Sequence, residues 1–90
     1  MGSSRTPALS LTAGFGIALR NRRKALGLTQ EELARLAGCG LAFLYELESG
    51  KPTVRLDKVM AVLNVLGLQL SLGEGKGTLH VDARWLEETG

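Results

Sequence analysis

Ninety residues carry a formal charge of only +2, a single cysteine and four aromatic side chains, with 44% of positions hydrophobic. That is one small domain with an aliphatic core, and its wealth of Leu and Ala favours helices. One cysteine excludes an intrachain disulfide and a cysteine-based metal site, and no run nears the roughly 20 apolar residues of a membrane helix. A reducing, cytoplasmic setting is expected, since no apolar stretch follows Arg5 that could act as a secretion signal.

The opening MGSSRTPA fits a myristoylation pattern through Gly2 and Thr6. That motif is short and MGSS is also the start that an expression vector adds, so lipidation is not expected, and residues 1–11 are read as a disordered arm. Beyond it the charge is uneven. Residues 13–67 hold eight Lys/Arg against five Asp/Glu, and residues 68–90 two against four. A basic body with an acidic tail permits a polyanion on one part and a different partner on the other.

From Thr12 the apolar positions Phe15, Ala18, Leu19, Ala25 and Leu26 recur at helical spacing, and Gly27 follows as a stop. Arg20, Arg22, Arg23 and Lys24 crowd the end of this helix, where cations favour the macrodipole. A solvated helix end and a phosphate contact are both compatible with them. Thr29 and Glu32 then stand at the spacing of a capping box, with Leu28 and Leu33 placed as a hydrophobic staple. The helix they start runs through Ala34 and Ala37 only to Gly38. Two turns are not stable alone, so neighbours must hold them. A third short helix is expected over Leu41 to Glu48, buried at Leu44 and Leu47 and ended by Ser49-Gly50 with Pro52 beyond. A fourth carries Leu56, Val59, Met60, Leu63 and Leu66 as its apolar stripe, closed by Gly67.

After Gly67 the period changes. Leu68, Leu70 and Leu72 alternate with Gln69 and Ser71, as in a strand, and TLHV at 78–81 reads as a second strand beyond a flexible Gly73–Gly77 turn. GEGKGT at 73–78 lacks the spacing of a phosphate-binding loop. Lone His80 has no second ligand nearby, so neither metal nor cofactor is expected. No Ser/His/Asp, Cys/His or paired-carboxylate set suggests an enzyme. Trp85 and Leu86 in the tail read either as an anchor for a partner or as packing back on the domain.

Two short helices joined by a tight turn, with a longer helix on each side, is the helix-turn-helix plan. GLTQEELA, the turn, and a helix ending ELESGKP resemble the DNA-binding domains of phage repressors and their bacterial relatives, over residues 12–67. The resemblance implies a mainly α, four-helix, lambda-repressor-like fold. It implies that Thr29 and Gln30 bond a phosphate at the start of the second helix. It also implies that Ser49 and Lys51 grip the DNA backbone on the other side, and that Arg23 and Glu48 form a structural ion pair joining the first and third helices. Cys39 stands where such proteins place Val, and reads as a small buried hydrophobe.

The same resemblance points Gly40, Leu41, Ala42, Tyr45 and Glu46 into the major groove of double-stranded DNA. These residues depart from the family pattern, which uses donors able to make bidentate bonds to bases. Leu41 and Ala42 could touch a thymine methyl, Tyr45 could donate a bond, and Glu46 could accept from cytosine N4. Specificity would then come from few contacts plus DNA shape and half-site spacing. The opposing reading is a domain kept mainly to bind a protein.

ESGKPTVRLDKVMAVLNVLGLQLSL resembles HipB-type antitoxins, where a strand after the fourth helix pairs with its copy across a two-fold axis. Dimerisation through Leu68, Leu70 and Leu72 is therefore expected. Physics alone requires a partner for that strand, either TLHV as a hairpin or a second chain. The expected organisation is an arm over 1–11, a helix-turn-helix domain over 12–67, a strand or hairpin over 68–82 and a tail over 83–90. The implied function is an operator-binding repressor, acting as homodimer and as antitoxin of a HipA-type kinase toxin. Its alternatives are a stand-alone regulator and a protein-interaction module with vestigial DNA binding.

Overall fold

The computed structural model describes residues 12–87, so the expected arm lies outside the described residues. Four helices follow in order: α1 (Ala13–Ala25), α2 (Gln30–Ala37), α3 (Leu41–Glu48) and α4 (Leu56–Leu66). A short 3-10 turn, Ala83–Trp85, comes near the end. Helix α2 lies against α4 and α3, while α1 crosses α3 and α4 and also carries the 3-10 turn. The core gathers Leu19 from α1, Leu33 and Ala34 from α2, Leu44 and Leu47 from α3, and Val59, Val62, Leu63 and Leu66 from α4. No element buries its apolar face alone, which is how two-turn helices come to be stable here.

All four helices stop in the same way. The paired bonds of a Schellman motif close each one: Gly27 N–H to Lys24 O with Leu28 N–H to Arg23 O, and Gly38 N–H to Arg35 O with Cys39 N–H to Ala34 O. Gly50 N–H bonds Leu47 O with Lys51 N–H on Glu46 O, and Gly67 N–H bonds Asn64 O with Leu68 N–H on Leu63 O. At Gly50 the left-handed backbone (φ 87°) coincides with close packing, since a Cβ there would stand 2.9 Å from the Ala13 Cα. Thr12 reinforces that junction by donating its hydroxyl to Gly50 O at 2.6 Å.

The apolar stripe of α4 is rotated from the expected one. Leu56 and Met60 are exposed, and Val62 is fully buried in their place beside Val59, Leu63 and Leu66. The period of 3.6 was right, but it admits two overlapping faces in so apolar a helix. Val62, Leu63 and Leu66 join the core that α4 shares with α1 and α2.

The expected C-terminal strand or hairpin is corrected. Among the described residues there is no strand, and residues 69–81 share no backbone–backbone hydrogen bond. Leu68 packs on the core, Leu70 is exposed, and Leu72 is wholly exposed. Alternating leucines create one apolar face, but a ladder also needs backbone bonds, and residues 69–81 make none with one another.

The tail folds back. Asn21 of α1, only 3% exposed, donates both amide hydrogens to it: Nδ2 reaches Trp85 O at 2.6 Å and Glu87 O at 3.1 Å. Arg22 lies 5.2 Å from the Trp85 ring centroid while its Nε donates to Leu66 O at 2.8 Å. Residues 83–87 are thus clasped to the ends of α1 and α4. Among the described residues no helix is long and apolar enough to cross a membrane.

Candidate nucleic-acid interface

The α2–turn–α3 unit is built from its caps inward. Thr29 has extended backbone, and its hydroxyl accepts from Glu32 N–H at 3.0 Å while Thr29 N–H donates to Glu32 Oε1 at 2.8 Å. This is the capping box that the spacing predicts. The two bonds from Thr29, backbone first, hold the Glu32 carboxyl below the usual glutamate range. The Thr29 hydroxyl thus serves the cap twice, its oxygen accepting from Glu32 N–H and its O–H beside the Glu32 carboxyl.

One turn inward lies a buried ionic network. Arg23 Nε donates to Glu48 Oε2 at 2.7 Å and Nη2 to Glu48 Oε1 at 3.2 Å, with the side chains 9% and 4% exposed. Arg23 Nη1 also donates to Leu28 O at 2.9 Å, and Gln30 Nε2 donates to Glu48 Oε1 at 2.9 Å. The network ties the end of α1, the start of α2 and the end of α3 together. Every buried charge has its partner, the condition under which a buried ion pair is tolerated. It also fixes the Gln30 side chain, which has one amide hydrogen left for an outside acceptor.

The outward face of α3 presents Gly40, Ala42, Tyr45 and Glu46, all exposed, with Leu44 and Leu47 turned inward as expected. Leu41 is half-buried and packs on the core, so part of the apolar first turn serves packing rather than the surface. No side chain caps the start of α3 at Gly40. Beyond the helix, Ser49 donates its hydroxyl to Glu46 O at 3.0 Å, and Lys51 Nζ stands 3.2 Å from Glu46 Oε1. Gln30 thus meets the end of α3 through Glu48, and Ser49 and Lys51 follow that same end in the chain.

The basic run at the end of α1 divides. Arg23 is buried, Arg22 is committed to Leu66 O and Trp85, and Lys24 is exposed. The sequence reading missed Asn21, which sits three residues after buried Ala18 and so on the inner face; that spacing was the available signal. It also missed the Gln30–Glu48 bond, which joins positions 18 apart and leaves no local trace. Cys39 is half-buried against the core, and burial pushes its thiol pKa up against the opposing pull of Lys58. That is the setting of an inert structural thiol. Trp85 is half-buried on its own α1, Leu86 is exposed, and His80 is exposed. Among the described residues no three His, Cys, Asp or Glu side chains gather as a metal site.

Residues 15–72 match the family model of a helix-turn-helix domain. Over 60 residues the chain is 45% identical to y4mF of Sinorhizobium fredii (strain NBRC 101917 / NGR234), an uncharacterized HTH-type transcriptional regulator, covering 67% of this chain and 79% of that one. Among solved structures it is similar to the restriction-modification controller protein C.AhdI from Aeromonas hydrophila (33% identity, TM-score 0.60, 64% of this chain and 88% of the other). It is also similar to a chain of the HipA-HipB-O2-O3 complex (28% identity, TM-score 0.65, 76% of this chain and 94% of the other). A third likeness is to the clp gene regulator ClgR from Corynebacterium glutamicum (34% identity, TM-score 0.61, 69% and 66%).

Proposed function

Because the chain belongs to the XRE-type helix-turn-helix family of transcriptional regulators, we propose that it is a sequence-specific repressor that binds operator DNA as a homodimer. One observation carries this reading. The outward face of α3 is free of core duties at Ala42, Tyr45 and Glu46, and the Arg23–Glu48–Gln30 network sets that face at a fixed angle to the start of α2. At the start of α2, beside Thr29, Gln30 offers an amide donor to a phosphate, which fixes register while α3 reads bases. Two copies would present two α3 helices to half-sites about one helical turn apart. The exposed alternation Leu70 and Leu72, beside unpaired backbone, is the segment we assign to the dimer contact with Leu68 at its root.

Binding to a duplex of the protein's own upstream DNA, against a scrambled duplex and across a salt series, tests the reading. Promoter-selective binding supports it. Equal, steeply salt-dependent binding to both would reduce the domain to phosphate contact without recognition, and no binding to either would favour a protein-interaction module.

The likeness to a chain of the HipA-HipB-O2-O3 complex supports a finer proposal. The chain acts as an antitoxin that neutralises a HipA-type kinase by binding it, and represses the operon of both. A kinase-like reading frame beside this one, whose product co-purifies with the chain, is the expected result. A stand-alone regulator, in keeping with the controller and clp regulator likenesses, is the outcome if such a kinase fails to bind.

A further inference from the structure

The Schellman stop has a side-chain consequence at α3. Its longer bond places the side chain just past the helix end beside that of the residue five positions earlier, and an apolar contact usually forms there. At the other helix ends those positions hold Leu28 and Arg23, Cys39 and Ala34, and Leu68 and Leu63. Only α3 has opposite charges at both, Lys51 and Glu46, and their Nζ and Oε1 lie 3.2 Å apart. Lys51 N–H also bonds Glu46 O, so the backbone itself holds the two residues side by side.

Glu46 is the one carboxylate on the outward face of α3. A bare carboxylate brought to DNA is repelled by phosphates. We propose that Lys51 is a positioning residue for Glu46 rather than a grip on the DNA backbone. Its ammonium cancels the charge and occupies Oε1, leaving Oε2 to accept from an exocyclic amino group, cytosine N4 or adenine N6, in the major groove. The pair converts a residue hostile to DNA into a base reader on a helix whose first turn has no polar side chain. The inference rests on the DNA-reading function proposed above.

The full chain and its Lys51→Ala, Lys51→Gln, Glu46→Gln and Glu46→Gln/Lys51→Ala variants separate the roles, titrated on the upstream duplex over a salt series. The two side chains are 44% and 50% exposed, so folding, checked by circular dichroism, is expected to persist. Either Lys51 variant should weaken selective binding roughly fivefold at low salt, and less as salt screens the bared Glu46 carboxylate. Adding Glu46→Gln should restore the affinity to that of Glu46→Gln alone, and Glu46→Gln should alter base preference at one position of each half-site. A slope reduced by about 0.9, the loss of one phosphate contact, with no rescue by Glu46→Gln, would overturn the proposal and leave Lys51 as a phosphate grip. A wild-type chain that does not distinguish the upstream duplex from a scrambled one would overturn the DNA-reading function, and this proposal with it.

Discussion

A methyl group on Gly16 would stand 2.5 Å from the carbonyl oxygen of Glu48 and 2.7 Å from that of Leu47. The crossing of α1 over the end of α3 is therefore set by the missing side chain. Gly16→Ala should destabilise the protein by about 1–3 kcal/mol through overpacking, although the same change in an exposed helix stabilises. Thermal unfolding checks the sign: a lower Tm is expected, and an unchanged or raised Tm would show that the helices can separate at no cost.

Glu48 is the hub of the buried network, accepting from Arg23 and Gln30. Glu48→Ala leaves the Arg23 guanidinium buried and unpaired, and should cost about 3–5 kcal/mol. Replacing both partners, Arg23→Met with Glu48→Leu, should recover much of that stability. Denaturant unfolding of the single and double variants measures the difference. Because Gln30 loses its anchor in both, promoter binding should weaken even where stability returns.

The clasp on the tail has its own reporter, since Trp85 is the sole tryptophan. Asn21→Ala removes both amide bonds to the Trp85 and Glu87 carbonyls, at an expected cost of about 1–3 kcal/mol. Acrylamide should then quench Trp85 fluorescence more strongly than in the parent. Equal quenching would mean that stacking with Arg22 holds the tail without Asn21.

The capping box predicts an acid limb. Glu32 is held below the ordinary glutamate value, first by the backbone N–H of Thr29 and then by its hydroxyl. A carboxyl whose folded pKa is depressed stabilises the fold above its unfolded pKa, and that stability fades as pH falls through the folded value. Tm should thus decline below about pH 4.5, and Glu32→Gln should flatten part of the decline. A carboxyl carbon titration by NMR would read the depressed pKa directly; an ordinary glutamate midpoint would show that the box is open in solution.

Much of this protein is local, and its sequence alone was enough for that much. Helix starts and stops depend on neighbours a few residues away: Thr29 with Glu32, and the glycines after each helix, act through backbone bonds spanning five residues or fewer. The inward Leu44 and Leu47 and the outward Tyr45 and Glu46 follow from helical period in the same way. Tertiary structure decided what the period leaves open. Only the packed helices could choose Val62 over Met60 for the inside of α4, bring Gln30 to Glu48, or make Gly16 a point of contact, because those choices depend on residues far apart in the chain. The tail and the leucine segment after α4 show the same division from the other side. Their patterns mark apolar faces, but a face names no partner. Asn21 and Arg22 supplied one for Trp85 within the chain, while the leucine segment keeps its backbone unpaired, because alternation alone brings no second edge to it.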